Sequence, residues 1–161
     1  MFTIETARPG SAIADSLVRA YLTDVASRWH GRAATPGEVA AALRDEPYDD
    51  LNGDTGVFFI ATSGDRAIAC AGARFVHGVA ELTKVFTLPG QRGKGAGGEL
   101  LRAVEQACRD RGISTLRLDT RAQLKEACAL YERLGFARVE AFNDGPYSDR
   151  WYSKSLGPAP R

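Results

Sequence analysis

The residues Gln91, Arg92, Gly93, Lys94, Gly95, Ala96, Gly97 and Gly98 form the most chemically suggestive stretch of this 161-residue chain. They separate a strand-like run from a helix-like run. Backbone N–H groups therefore converge at a helix N-terminus, and the missing β-carbons let a phosphate come close enough to accept from them. A turn that glycine merely permits is the plainer reading, but glycines entering a helix each cost about 1 kcal/mol relative to alanine. Two familiar phosphate loops compete. Gly93-x-Gly95-x-x-Gly98 matches the dinucleotide fingerprint, and Asp119 stands about 20 residues on, as a ribose-binding acid should. Against it, residues 88–92 intervene between the strand and the first glycine, and little chain follows Asp119 for further parallel strands. A triphosphate loop needs Ser or Thr after Gly-Lys to hold magnesium, and here Gly95 follows Gly93 and Lys94.

Other groups suggest less. Cys70, Cys108 and Cys128 are odd in number and contain no C-x-x-C pair, while His30 and His77 stand alone, so reduced thiols and no metal site are expected. Cys108 falls on the apolar face of an expected helix, where a thiol is usually inert. Lys and Arg total 21 against 20 Asp and Glu, a formal charge of +1, which lacks the basic footprint of a nucleic-acid binder or polybasic membrane protein. The first residues lack a basic segment followed by a long apolar run, and no stretch approaches about 18 apolar residues. A cytoplasmic protein without nucleic-acid or membrane partners is the expectation.

The elements that would hold the glycine turn follow from periodicity. Alternation predicts a strand over 2–7, ended by Pro9 and Gly10. Ile13, Leu17, Val18, Tyr21, Leu22, Val25 and Trp29 recur at helical spacing over 11–29. Thr35, Pro36 and Glu38 spell a capping box with proline at the first helical position, opening a short helix through Leu43. Residues 45–56 are acidic and turn-rich, a loop expected to lie over a site or over solvent. Strands are predicted over 57–62, 66–76, 80–87, 116–120, 136–142 and 150–155. Helices are predicted after the glycine cluster, with Leu100, Leu101, Val104 and Cys108 inward, and over 124–134. The order βααβββαβαββ implies an α/β mixed sheet, antiparallel in its N-terminal half, with one central parallel βαβ unit. With 44% hydrophobic residues, 1–156 is expected to be a single domain and 157–161 a short tail.

Divided as Arg92-x-x-Gly95-x-Gly97, the loop resembles the pyrophosphate loop of the GNAT superfamily of N-acetyltransferases. The preceding residues from Glu81 to Pro89 look like the family's fourth strand and Leu116 to Thr120 like its fifth. Ala127-x-x-Leu130-Tyr131-x-x-x-Gly135-Phe136 looks like its fourth helix, and Asn143, Pro146, Tyr147 and Trp151 are similar to the closing segment of one bacterial group. Many members carry asparagine where Leu124 stands, three residues before Ala127.

What the resemblance implies is a fold with splayed central strands and acetyl-CoA as cosubstrate. It assigns Phe86, Thr87 and Leu88 to backbone contacts with pantetheine and the thioester, and Arg92, Gly93, Lys94, Gly95, Ala96 and Gly97 to the pyrophosphate. A primary amine, small or amino-acid-like, would attack directly within a ternary complex. Glu81 is implied as the proton acceptor, directly or through water, with a solvated strand-end charge or a salt bridge to Arg74 as its structural alternative. Asp119 is the second candidate base, with a cross-strand pair as its alternative. Tyr131 would donate to the leaving thiolate, or else be a half-buried aromatic. Asp144, Tyr147 and Trp151 would shape the acceptor pocket. A peptide or protein acetyltransferase and a non-catalytic acyl-CoA-binding regulatory module are the competing functions, and the protein would be a monomer or homodimer.

Overall fold

The computed structural model describes residues 2–157, so 158–161 of the expected tail lie outside the described residues. Strand β1 (Thr3–Thr6) leads into α1 (Ala12–His30), whose first turn is capped by the Ser11 hydroxyl accepting from the Ala14 N–H. The Thr35 and Glu38 capping box opens α2 (Pro36–Asp45) with both reciprocal hydrogen bonds made. A meander follows, of β2 (Gly56–Ser63), β3 (Arg66–Val76) and β4 (Val79–Thr87). A single 3-10 turn (Pro89–Gln91) then leads to α3 (Ala96–Asp110), β5 (Thr115–Thr120), α4 (Lys125–Arg133), β6 (Ala137–Val139) and β7 (Arg150–Ser155). The expected order is present throughout.

The seven strands run β1-β2-β3-β4-β5-β7-β6, antiparallel except for the β4–β5 pair. That pair holds register only at Ala80↔Leu116 and Glu81↔Arg117, after which the strands part. The expected splay is therefore a cleft opening beyond Glu81, flanked by backbone of β4 that β5 does not pair. One expectation fails: the strand predicted over 136–142 stops at Val139. The chain leaves the sheet because Asn143 and Ser148 both donate to the Asp119 carboxylate, at 2.7 Å each, folding this segment over the end of β5.

Both faces of the central sheet are covered, which is why 57–62 reads as a continuous apolar run rather than an alternating one. Phe58, Ile60 and Cys70 meet α1 and α2 through Leu17, Val18, Leu22 and Val39. Ala61, Ala69 and Ala71 face Leu100, Leu101 and Val104 of α3. Each of these last three is fully buried, stabilising the fold by about 1.5–3 kcal/mol relative to exposure. The acidic loop 46–55 is anchored by Tyr48, which donates to Asp15 and accepts from the Gly10 N–H, and by Leu51 seated above Gly72. A β-carbon at Gly72 would stand 2.7 Å from Leu51 Cδ1, so only glycine lets the loop lie this close.

The pairing of β3 with β4 is irregular at one point, on the strand that borders the cleft. Register passes from Cys70↔Phe86 to Gly72↔Thr83, two residues along β3 against three along β4. The extra residue is a β-bulge, and within it Lys84 adopts φ +57°, a left-handed conformation uncommon outside glycine, asparagine and aspartate.

Candidate active site

A cavity of about 920 Å³ occupies the splay between β4 and β5. Its walls come from α1 (Tyr21, Val25), the acidic loop (Glu46, Asp50), β4 (Glu81, Lys84), β5 (Asp119) and α4 (Ala127, Tyr131). The acidic loop thus lies over a site, one of the two expected positions. Trp29 and Tyr147, about half exposed, meet edge to face at 5.0 Å on its rim. Of the acceptor-pocket candidates, Tyr147 lines the cavity, whereas Asp144 and Trp151 do not. Trp151 Nε1 instead donates to Asn143 Oδ1 at 2.9 Å, closing the network around Asp119.

Glu81 is half-buried on the wall. Register sets Arg74 directly across from it on β3, yet the ion pair offered as one structural alternative does not form, because Asp50 captures the Arg74 guanidinium from the acidic loop. Glu81 pairs instead with Arg117, its neighbour on β5, through Nε at 3.1 Å and Nη2 at 2.9 Å. Both bonds end on Oε2. Asp119 is exposed and already accepts two hydrogen bonds, so its carboxylate helps hold the 140–149 segment against the sheet.

Tyr131 is buried on α4, with its ring against Phe136 and Tyr152 at centroid distances of 5.7 and 5.9 Å. Burial, reinforced by the neighbouring Tyr21, pushes its phenol far above the ordinary value. Phe86 is buried too, edge to face with Tyr21 at 6.0 Å and beneath the Arg92 guanidinium at 5.7 Å. At the exit of β4 the backbone is partly engaged. The Leu88 N–H donates to Ile68 O at 2.9 Å, and the Thr87 carbonyl accepts from Arg92 Nε at 3.0 Å.

The glycine turn stands beyond this cavity's lining. Gly93 (φ +80°) and Gly95 (φ +92°) take left-handed conformations, and nothing lies within 4 Å of a β-carbon at either. Gly95 is the N-cap of α3 and offers no side-chain cap, so the first-turn N–H groups are available to an anion. Gly97 has a packing role as well, since a β-carbon there would meet Leu130 Cδ2 of α4 at 2.9 Å. Arg92 points back toward Asp24 of α1 and Glu126 of α4, both at 3.7 Å, while Lys94 reaches Gln91 at 3.4 Å.

Two cations on the cavity wall escaped the reading of the sequence. Lys84 is 4% exposed and Arg121 is 9% exposed. For Lys84 strand period alone misleads: it groups Lys84 with Ala80 and Leu82, which pack on the α3 side, whereas the bulge in β4 sets Lys84 on the cavity wall, next to Phe86 of the α1 side. Arg121 follows β5 and gives no local signal. Its burial depends on Trp29 of α1, whose ring lies 5.1 Å from the guanidinium.

The three cysteines are free and buried. Burial pushes the Cys70 thiol up to about 12 and the Cys108 thiol up to about 11, far from an activated nucleophile. Among the described residues no cluster of His, Cys, Asp and Glu could hold a metal ion, and no helix is long and apolar enough to cross a membrane.

Residues 20–136 match the sequence model of the acetyltransferase (GNAT) family. An uncharacterized N-acetyltransferase of Escherichia coli K12, YjgM, is 49% identical over 63 residues, 38% of this chain and 37% of that protein. An IAA acetyltransferase of Azospirillum brasilense is 33% identical over 56% of this chain and 59% of its own length. The chain thus matches less than two thirds of either relative. Among solved structures, a Klebsiella pneumoniae protein assigned as an acyl-CoA N-acyltransferase superposes with a TM-score of 0.75 and 26% identity, over 98% of this chain and 99% of that one. The PaiA N-acetyltransferase of Thermoplasma acidophilum, solved with coenzyme A, has the same fold, with a TM-score of 0.74 and 18% identity over 95% and 99% of the two chains.

Proposed function

The chain belongs to the acetyltransferase (GNAT) family, and from that membership we propose that it transfers the acetyl group of acetyl-CoA to the primary amine of a small-molecule or amino-acid-like acceptor. The observation that carries this reading is the cleft itself: β4 and β5 separate after Glu81, between an acid-lined cavity and an uncapped helix N-terminus preceded by left-handed glycines. Pantetheine would lie along the unpaired edge of β4 near Phe86, Thr87 and Leu88, using backbone groups other than the engaged Leu88 N–H. Pyrophosphate would rest on the loop from Arg92 through Gly93, Lys94, Gly95 and Ala96 to Gly97, with Arg92 turning from Asp24 and Glu126 toward the ligand. Holding both reactants in line turns a bimolecular encounter into a nearly unimolecular step.

The attack is direct. The amine nitrogen bonds to the thioester carbonyl carbon, the C–S bond breaks, and coenzyme A leaves as its thiolate. The unreactive, buried thiols support this route over an acyl-enzyme. A free alkylamine has a pKa near about 10.4, so it arrives charged, drawn by Glu46, Asp50, Glu81 and Asp119, and must lose a proton. Glu81 takes it, directly or through water, using the Oε1 that Arg117 leaves free. Tyr131 then meets the leaving sulfur with its hydroxyl. In this reading residues 1–156 work as one domain, monomeric or homodimeric, in the reducing cytoplasm, which suits three free cysteines.

The test is coenzyme A release by purified protein across amines, amino acids and peptides, beside thermal melts. Acetyl-CoA is expected to raise the melting temperature in a concentration-dependent way, by mass action, while NAD and ATP do not. Stabilisation by NAD alone would restore the dinucleotide reading of Gly93 to Gly98. Release with peptides only would move the acceptor class, and binding without release would leave an acyl-CoA-binding module.

A further inference from the structure

We propose that Lys84 and Arg121 form a carboxylate-binding wall, so that the acceptor carries a carboxylate beside its amine, as an α-amino acid does; this rests on the acetyl-transfer reading above. Both side chains line the cavity and both are more than nine-tenths buried. Neither cation is adequately paired within the protein. The nearest carboxylate to Lys84 Nζ is Glu46 at 3.8 Å, beyond hydrogen-bond distance, and Glu46 is itself 55% exposed. Arg121 donates from Nη2 to the Val25 carbonyl at 2.8 Å, while its buried Nε has no partner.

Burying a cation without a hydrogen-bonded counter-charge is costly. Desolvation accordingly lowers the pKa of both groups. Lys84 adds backbone strain, since its left-handed φ sits in the bulge of β4. Strain and unpaired charge persist together where a ligand makes use of them. A carboxylate supplies what both lack, and Glu46 stands close enough to influence both cations while remaining free to turn toward solvent. The surrounding acids then receive the ammonium end of the same molecule. The acetyl-transfer reading alone requires only the amine.

The experiment compares three acceptors that share one side chain: an α-amino acid, its amide and the corresponding decarboxylated amine, each with acetyl-CoA. The wild-type protein is expected to favour the acid over the amide by at least tenfold in kcat/KM. Lys84→Met and Arg121→Gln are each expected to collapse that ratio toward one, mainly through KM for the acid. Lys84→Arg keeps the charge and should keep the preference, so a variant that merely folds badly is recognised, with the acetyl-CoA shift in melting temperature as a check on the fold. Equal use of acid and amide by the wild type overturns the proposal, as does a preference that survives in both neutral variants. A carboxylate required in the acyl donor, tested with succinyl-CoA against acetyl-CoA, overturns the assignment to the acceptor. Acetylation of amines without acid preference sinks this inference alone, whereas no coenzyme A release with any amine sinks the acetyl-transfer reading beneath it.

Discussion

Replacing Tyr131 by phenylalanine separates chemistry from packing at the buried end of the cavity. The ring contacts with Phe136 and Tyr152 remain, and only a hydroxyl is lost. Tyr131 lines the cavity, and removing its hydroxyl changes stability by no more than about 1 kcal/mol, which for a chain of this size moves the melting temperature by roughly 2–4 °C. An ordinary phenol near about 10 donating to a thiolate near about 8.5 already transfers its proton uphill by about 1.5 units. Burial pushes the Tyr131 phenol higher still, so complete transfer is disfavoured, and in the proposed mechanism the hydroxyl would act chiefly as a hydrogen-bond donor to the developing sulfur charge. Loss of that contact predicts a turnover 10- to 10²-fold lower, about 1.4–2.7 kcal/mol of barrier, with acetyl-CoA affinity nearly intact. Since a raised phenol stays protonated at neutral and mildly alkaline pH, the ratio of wild-type to variant rate should be flat from about pH 6 to 9. Steady-state coenzyme A release across that range, beside a thermal melt, provides both readings. Wild-type turnover in the variant would reduce Tyr131 to a packing residue, and a ratio that falls with rising pH would mean that the hydroxyl titrates within the range after all.

Glu81→Gln should lower turnover by about 10²-fold or more at neutral pH with little change in acetyl-CoA binding, the loss shrinking at high pH as more amine is already neutral; ordinary turnover would pass the proton to Asp119 or to water. Gly95→Val should abolish stabilisation by acetyl-CoA, because a side chain would stand where a phosphate approaches the loop. The left-handed φ of Gly95 also costs the variant about 1–2 kcal/mol of its own stability. Gly64→Val, at φ +62° in a distant turn, controls for strain: it should lower the melting temperature yet keep the acetyl-CoA response. Arg32 and the Thr35 cap hold the Glu38 carboxyl down at about 2, against an ordinary 4.5. A carboxyl depressed by folding contributes stability that is full above about 4.5 and disappears as pH falls toward 2. Urea midpoints measured from pH 5 to 2 should therefore fall less steeply for Glu38→Gln, and parallel curves would show that this cap has no linkage to pH.

Local rules account for the parts of the protein that could be read in advance. Ser11 and Thr35 start their helices from neighbours three residues away, and left-handed glycines end α1 and enter α3. Such features depend on a few adjacent residues, so one stretch of sequence contains the whole cause. The order of the elements, and the motifs from Ala80 to Phe136 that resembled the family, belong to this class. Pairing between distant segments does not. Glu81 and Arg74 do face each other across β3 and β4, but whether they join depended on Asp50, delivered by a loop whose path is set by Tyr48 and Leu51. The predicted strand over 136–142 had acceptable local propensity and lost its second half to hydrogen bonds with Asp119, a residue on another strand. Lys84 and Arg121 became cavity residues only when a bulge turned one inward and Trp29, from the opposite end of the chain, covered the other. Helix caps and turns are decided by energies acting within a few residues; ion-pair partners, strand ends and buried charge are decided by which segments the assembled sheet brings together, and that competition has no local record.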